Sequence, residues 1–267
     1  MSMIRNLIDT YNLVYQVDQE YPLEIIVTTD LYKERLKLAN TPCDQAIVAA
    51  SQQELDDSLK WLVLPDQHDP NYYLLLHEDL FDESQQYGQA IAYEYTRLID
   101  YCDISQKYQV PNLRAAQFPD LACFLFLAEA RAIYRGFNLY YNLVSAENKA
   151  VLFSYLCGTV PDYENRLSFD LSAHMHDLAA FYGQALAIGS YVNFDVSLPD
   201  YLNRHHVHEL LAAVHDNIDN PGLFDNYEAI DEAYQDFIHN KSLLTAPRVH
   251  SHQCNHTHHD HGDHHDH

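Results

Sequence analysis

The chain contains no run of apolar residues near the roughly 20 needed to span a bilayer. Its opening stretch, MSMIRNLIDTYNLVYQVDQE, is amphipathic, with neither the uninterrupted apolar segment nor the small-residue cleavage site of a secretory signal. Together these absences set the expectation of an intracellular, cytoplasmic protein. Basic residues are scarce: 15 Lys and Arg face 39 Asp and Glu, for a formal net charge of -24. Such a chain repels polyanions, so neither nucleic acid nor an anionic membrane is expected as a partner. The five cysteines (Cys43, Cys102, Cys123, Cys157 and Cys254) are odd in number and lack CxxC spacing, which fits reduced thiols and not a disulfide framework. Only seven glycines occur and no Gly/Ser linker, so one domain over residues 1–247 is the simplest organisation. There is no GxSxG elbow, phosphate-cradling glycine loop or dinucleotide fingerprint, and the chemistries they carry drop out with them.

What is present is ample for a core: 47% hydrophobic and 12% aromatic residues. Residues 3–17 pattern as a helix with Ile4, Leu7, Ile8, Tyr11 and Tyr15 on one face. Glu24 to Thr29 reads as a buried strand, and Asp30 to Ala39 as a helix. Gln45 to Ala50 is expected as a second strand, Gln53 to Leu64 as a helix, and Asn71 to Glu78 as a third strand. Thereafter the pattern is helical: 82–101 with Asp82 and Gln85 as a start signal, Asp120 to Tyr141, Asp170 to Val192, Pro199 to Ile218 and Tyr227 to Asn240. The fold class expected is α+β, with an α/β part over about 1–80 and a helical part over about 82–240.

Two carboxylates sit where they should not. In the 82–101 helix Tyr87, Ile91, Leu98 and Tyr101 form an apolar stripe, and Glu94 lies in the middle of it. In the Asp120–Tyr141 helix Ala122, Leu125, Ala132, Gly136 and Leu139 form another, interrupted by Glu129. A buried carboxylate is normally paired, hydrogen-bonded or bound to metal, so each calls for a partner.

The segment Tyr93-Glu94-Tyr95-Thr96-Arg97, continuing Leu98-Ile99-Asp100-Tyr101, resembles the HExxH helix of the zincin-like metallopeptidases, especially small bacterial and phage forms. In that helix two histidines one turn apart bind zinc and the glutamate acts as general base on metal-bound water. Here the resemblance puts Glu94 at the general-base position and Tyr93 and Arg97 at the two histidine positions; arginine has no lone pair to give a cation. Phe126-Leu127-Ala128-Glu129-Ala130-Arg131-Ala132 resembles the later helix that supplies a third ligand, with Glu129 at the matching position. The resemblance implies a zincin-like fold with no cofactor in the core site. Arg97 is expected to replace the metal, bridging Glu129 and Glu94, with Tyr93 joining the network.

Residues 248–267 are a different material. From residue 250 the chain reads HSHQCNHTHHDHGDHHDH, a disordered tail by composition. His250, His252, Cys254, His256, His258, His259, His261, His264, His265 and His267 are its candidate ligands for Zn, Ni or Cu. Among other histidines, His77 ends a strand before the Glu94 helix; His174 and His176 make a poor chelate on a helix; His205, His208 and His215 border an apolar face.

The function expected is that of a catalytically inactive metallopeptidase-like protein, a pseudoenzyme that binds or scaffolds an unidentified protein partner and carries a metal-binding tail. Two alternatives stand beside it: a metal-dependent peptidase using Glu94 with ligands such as His77, and a metal-buffering protein acting through the tail. Oligomeric state is left open, although 21 tyrosines leave room for an aromatic interface.

Overall fold

Three consecutive leucines, Leu74, Leu75 and Leu76, mark the centre of the sheet, because a strand whose successive side chains point to opposite faces can be apolar throughout only if both faces are covered. In the computed structural model, which describes residues 2–65, 69–81, 87–109, 121–143, 151, 175–192 and 207–240, all three are buried. Tyr72, Leu74 and Leu76 face a large helical core, while Leu75 faces a smaller one with Val63, Leu31, Val48 and Leu55.

The elements in order are α1 (Ser2–Tyr15), β1 (Leu23–Thr28), α2 (Leu31–Lys37), α3 (Pro42–Ala50), α4 (Gln52–Asp56), β2 (Lys60–Val63) and β3 (Tyr72–His77). A 3-10 turn at Glu78–Phe81 precedes α5 (Tyr87–Tyr108), α6 (Leu121–Leu143), α7 (Met175–Val192), α8 (Val207–Asn217) and α9 (Tyr227–Asn240). The sheet order is β1-β3-β2, with β1 parallel to β3 and β2 antiparallel to it. This is a mixed α+β architecture with a small three-stranded sheet and mostly helical content. Helices α2 to α4 cover one face; α1, α5, α6 and α7 build the body on the other. No described helix is long and apolar enough to cross a membrane.

Two expected elements are corrected. Gln45 to Ala50 is not a strand but the end of α3: Pro42 occupies the first turn, and Thr41 caps it by accepting a hydrogen bond from the Asp44 amide at 3.1 Å. Gln53 to Leu64 is not one helix; α4 stops at Asp56 and the chain turns at Asp57 and Ser58 into β2. On α6, Ala122 and Leu125 are exposed and not part of the buried stripe. The Asp82 start signal lies outside the described residues, and α5 runs past Tyr101 to Tyr108.

Glycine sets two helix separations. A Cβ on Gly136 would stand 3.1 Å from the Gln89 carbonyl oxygen and 3.5 Å from Tyr93 Cβ, so α6 meets α5 closely there and a side chain would need its neighbours to give by a few tenths of an ångström. A Cβ on Gly183 would lie 2.5 Å from the Ala130 carbonyl oxygen, which fixes α7 against α6 in the same way.

Candidate functional site

Glu94 is 4% exposed, on the turn of α5 that faces β2. Because β2 alternates, Lys60 shares the side of Leu62 and points at α5, whereas Trp61 and Val63 face α2 to α4. Lys60 Nζ donates to Glu94 Oε1 at 2.7 Å, and Arg97 Nη1 donates to Glu94 Oε2 at 3.2 Å. Each carboxylate oxygen thus has its own cation. Lys60 Nζ also lies 3.7 Å above the centre of the Tyr93 ring, and Arg97 sits between Tyr93 and Tyr101, giving a hydrogen bond to the Tyr101 hydroxyl at 3.2 Å. Burial pulls the Lys60 ammonium below its usual pKa, opposed by Glu94. Burial also works against charge on Arg97, but Glu94, Tyr101 and Tyr93 outweigh it and the net shift is upward.

Glu129 is met differently. Both of its oxygens accept the Tyr93 hydroxyl at 2.8 Å, and His176 on α7 brings Nε2 to 3.8 Å from Oε1. Burial raises the Tyr93 phenol, Arg97 lowers it, and Glu129, Glu94 and the bond to Glu129 raise it again, so that the net shift is upward and it stays a donor. The expected bridge from Arg97 to Glu129 is not what the structure has: Arg97 turns to Glu94 and Tyr101, and the tyrosine ring stands between the two carboxylates.

These groups do not fit a zinc ion. Tyr93 and Arg97, at the positions the resemblance gives to histidine, are both donors here, and a guanidinium has no lone pair for a metal. Among the described residues no group of three or more His, Cys, Asp or Glu is gathered as a metal shell would be. His77 takes the Asp79 amide on Nδ1 at 3.2 Å and gives Nε2–H to the Thr29 carbonyl at 3.0 Å, away from Glu94. His215 is exposed beside Asp216. His174, His205, the side chain of His208, and every tail ligand from His250 to His267 lie outside the described residues.

Lys60, Tyr93, Glu94, Arg97 and Tyr101 line a cleft of about 1040 Å³ bounded by α5, β2 and residues of α2 to α4. Seven successive residues, Ser58 to Leu64, line it, among them all four of β2. A strand that borders a space with every residue presents its edge there and not a face. The site residue that sequence reasoning missed is Lys60; its one signal is a lysine opening the apolar run Trp61-Leu62-Val63-Leu64.

A second buried charge cluster ties α5 to α6 below the cleft. Asp100, 0% exposed, lies 3.3 Å from Arg131 Nη2, and burial pushes its carboxyl up to about 6 while Arg131 and Arg135 pull it down. Arg131 and Arg135 both donate to the Asn220 carbonyl, at 3.2 and 2.6 Å, and Arg135 donates to the Tyr11 hydroxyl at 3.2 Å. Tyr11 in turn shares a 2.7 Å hydrogen bond with Thr96. Compared with known protein families, with curated proteins and with solved structures, the chain matches none.

Proposed function

We propose that this chain is a catalytically inactive, zincin-like metallopeptidase homologue that serves as a binding or scaffolding protein, with a cleft for a polypeptide segment and a C-terminal metal-binding tail. One observation carries the reading: both oxygens of Glu94, the general-base position of the resemblance, are held by cations of the chain itself, Lys60 and Arg97. A carboxylate so held has a cation on each oxygen, where a general base needs one free to take a proton from water. In support, the order of sheet, Glu94 helix and Glu129 helix follows that of the resemblance, and the cleft is still open above the pair. Such a cleft keeps the means of binding a chain without the means of cutting it.

The test compares the metal content of the full chain with that of a version ending at Pro247, alongside a peptidase assay of the full chain and of Glu94→Gln. Metal carried by the full chain and lost with the tail, and no peptide cleavage, are expected. Metal retained stoichiometrically without the tail, or cleavage abolished by Glu94→Gln, would overturn the proposal.

A further inference from the structure

The cleft has a charge asymmetry that the loss of a metal does not explain. Lys60 and Arg97 share one acid, and that acid is behind them: the Glu94 side chain is 5% exposed against 28% for Lys60 and 30% for Arg97. Glu129 does not line the cleft; it accepts the Tyr93 hydroxyl and helps to keep Lys60 charged from the far side of that residue. What a ligand meets first at this wall is therefore the two cations, each more exposed than the acid they share. Both groups keep N–H donors beyond those given to Glu94 and Tyr101, and aromatic faces on Tyr93 and Tyr101 hold them in place.

The rest of the lining limits the ligand. Arg35, the other cation, is matched by Asp44 through bonds of 2.8 and 3.2 Å. Glu54 and Asp69 add acids; Asp69 precedes β3 and binds Tyr73, at the Val63 end of β2, three residues from Lys60 or about 10 Å. A ligand with several negative charges is repelled there, whereas one carboxylate at the Lys60 end is not. Among the described residues no strand pairs with the outer side of β2, so its edge offers backbone donors and acceptors to an extended chain. Trp61, Leu62, Leu64 and Ile133 give that chain apolar contact.

From this we infer that the cleft recognises the free C-terminal carboxylate of a polypeptide, seated on Lys60 and Arg97, with the preceding residues extended along β2. The inference rests on the binding-protein reading above and names the ligand for the same cleft.

The test uses the full chain and short fluorescein-labelled peptides of mixed sequence, each made as the C-terminal acid and as the C-terminal amide, with binding read by fluorescence polarisation. Acids bind about tenfold more tightly than their amides, the ratio set by a charge-assisted pair at a half-buried site. Lys60→Gln and Arg97→Gln, checked by circular dichroism, bring the ratio toward unity. Glu94→Gln leaves both cations in place and removes their shared acid, so it tightens acid peptides by roughly threefold and leaves amides unchanged. Equal binding of acids and amides, or weaker acid binding by Glu94→Gln, overturns the carboxylate inference and leaves the binding cleft standing. Binding of neither form overturns both.

Discussion

Replacing Lys60 by Met tests whether the chain's own cation holds Glu94. The ammonium is 2.7 Å from a carboxylate whose side chain is 5% exposed, and its own side chain is 28% exposed. An exposed pair contributes about 1 kcal/mol or less, and breaking a fully buried one costs about 3 to 5 kcal/mol. With one partner buried, the other part-exposed and Arg97 still 3.2 Å from Glu94 Oε2, the expected coupling between positions 60 and 94 is about 2 kcal/mol. The assay is a double-mutant cycle of Lys60→Met and Glu94→Gln by urea denaturation of the full chain. The substitution at 60 should be costly with Glu94 present and nearly free once it is Gln. Because Glu94 is shielded from solvent, the coupling should persist in molar salt, where exposed pairs are screened. A coupling under about 0.5 kcal/mol refutes the reasoning, since Glu94 would then be satisfied without Lys60.

Tyr93→Phe removes the hydroxyl that serves both oxygens of Glu129; a loss of about 1 to 3 kcal/mol, measured by the same denaturation, is expected for the buried acceptor left behind. Gly183→Ala should cost about 1 to 3 kcal/mol or more, read as a lower thermal midpoint, because the added methyl meets the Ala130 carbonyl oxygen at 2.5 Å and Ile133 Cβ at 2.8 Å. Asp100 carries a pH signature. Its folded pKa of about 6 lies above the ordinary 3.8, so the folded state binds the extra proton and stability falls as pH rises through that window. Relative to Asp100→Asn, the unmodified chain should lose up to about 3 kcal/mol between pH 4 and pH 7, and a difference that does not vary with pH would contradict the assignment.

Long, strongly periodic elements were legible in the sequence. The α1 face of Ile4, Leu7, Tyr11 and Tyr15 is buried, and β1, β3, α5, α6 and α9 lie where the pattern puts them, to within a few residues at most boundaries. The short ones were not. In α3 the β-branched look of Ala46-Ile47-Val48 outweighed the Thr41 cap and Pro42, although those two are the stronger local signal for a helix start. The four residues of β2 were absorbed into a neighbouring helix pattern because four residues hold barely one helical turn of evidence. That misreading hid Lys60, and with it the main partner of Glu94. Periodicity marks a side chain as buried; it does not say what lies across from it. So the burial of Glu94 and Glu129 could be read from the sequence, while the lysine 34 residues upstream and the Tyr93 ring between the two acids needed the sheet to be built first.

The two charge clusters together account for how α5 is held. Glu94 and Asp100 are six residues apart, about 9 Å along the axis and about a third of a turn round it, so they point to different sides. Glu94 is tied to β2 through Lys60, and Asp100 to α6 through Arg131, whose guanidinium, with that of Arg135, is bound in turn to the Asn220 carbonyl. Rotating α5 by one residue, about 100°, would take both acids away from their cations whichever way it turned. Apolar packing alone is more permissive, since Ile91, Leu98 and Ile99 could be repacked after a small slip at modest cost. It is the opposed pairs that remove the slip. A metal ion would hold the same helix only while it stayed bound. Here the anchoring charges are covalent parts of β2 and α6, so the wall of the cleft keeps its geometry at any metal concentration.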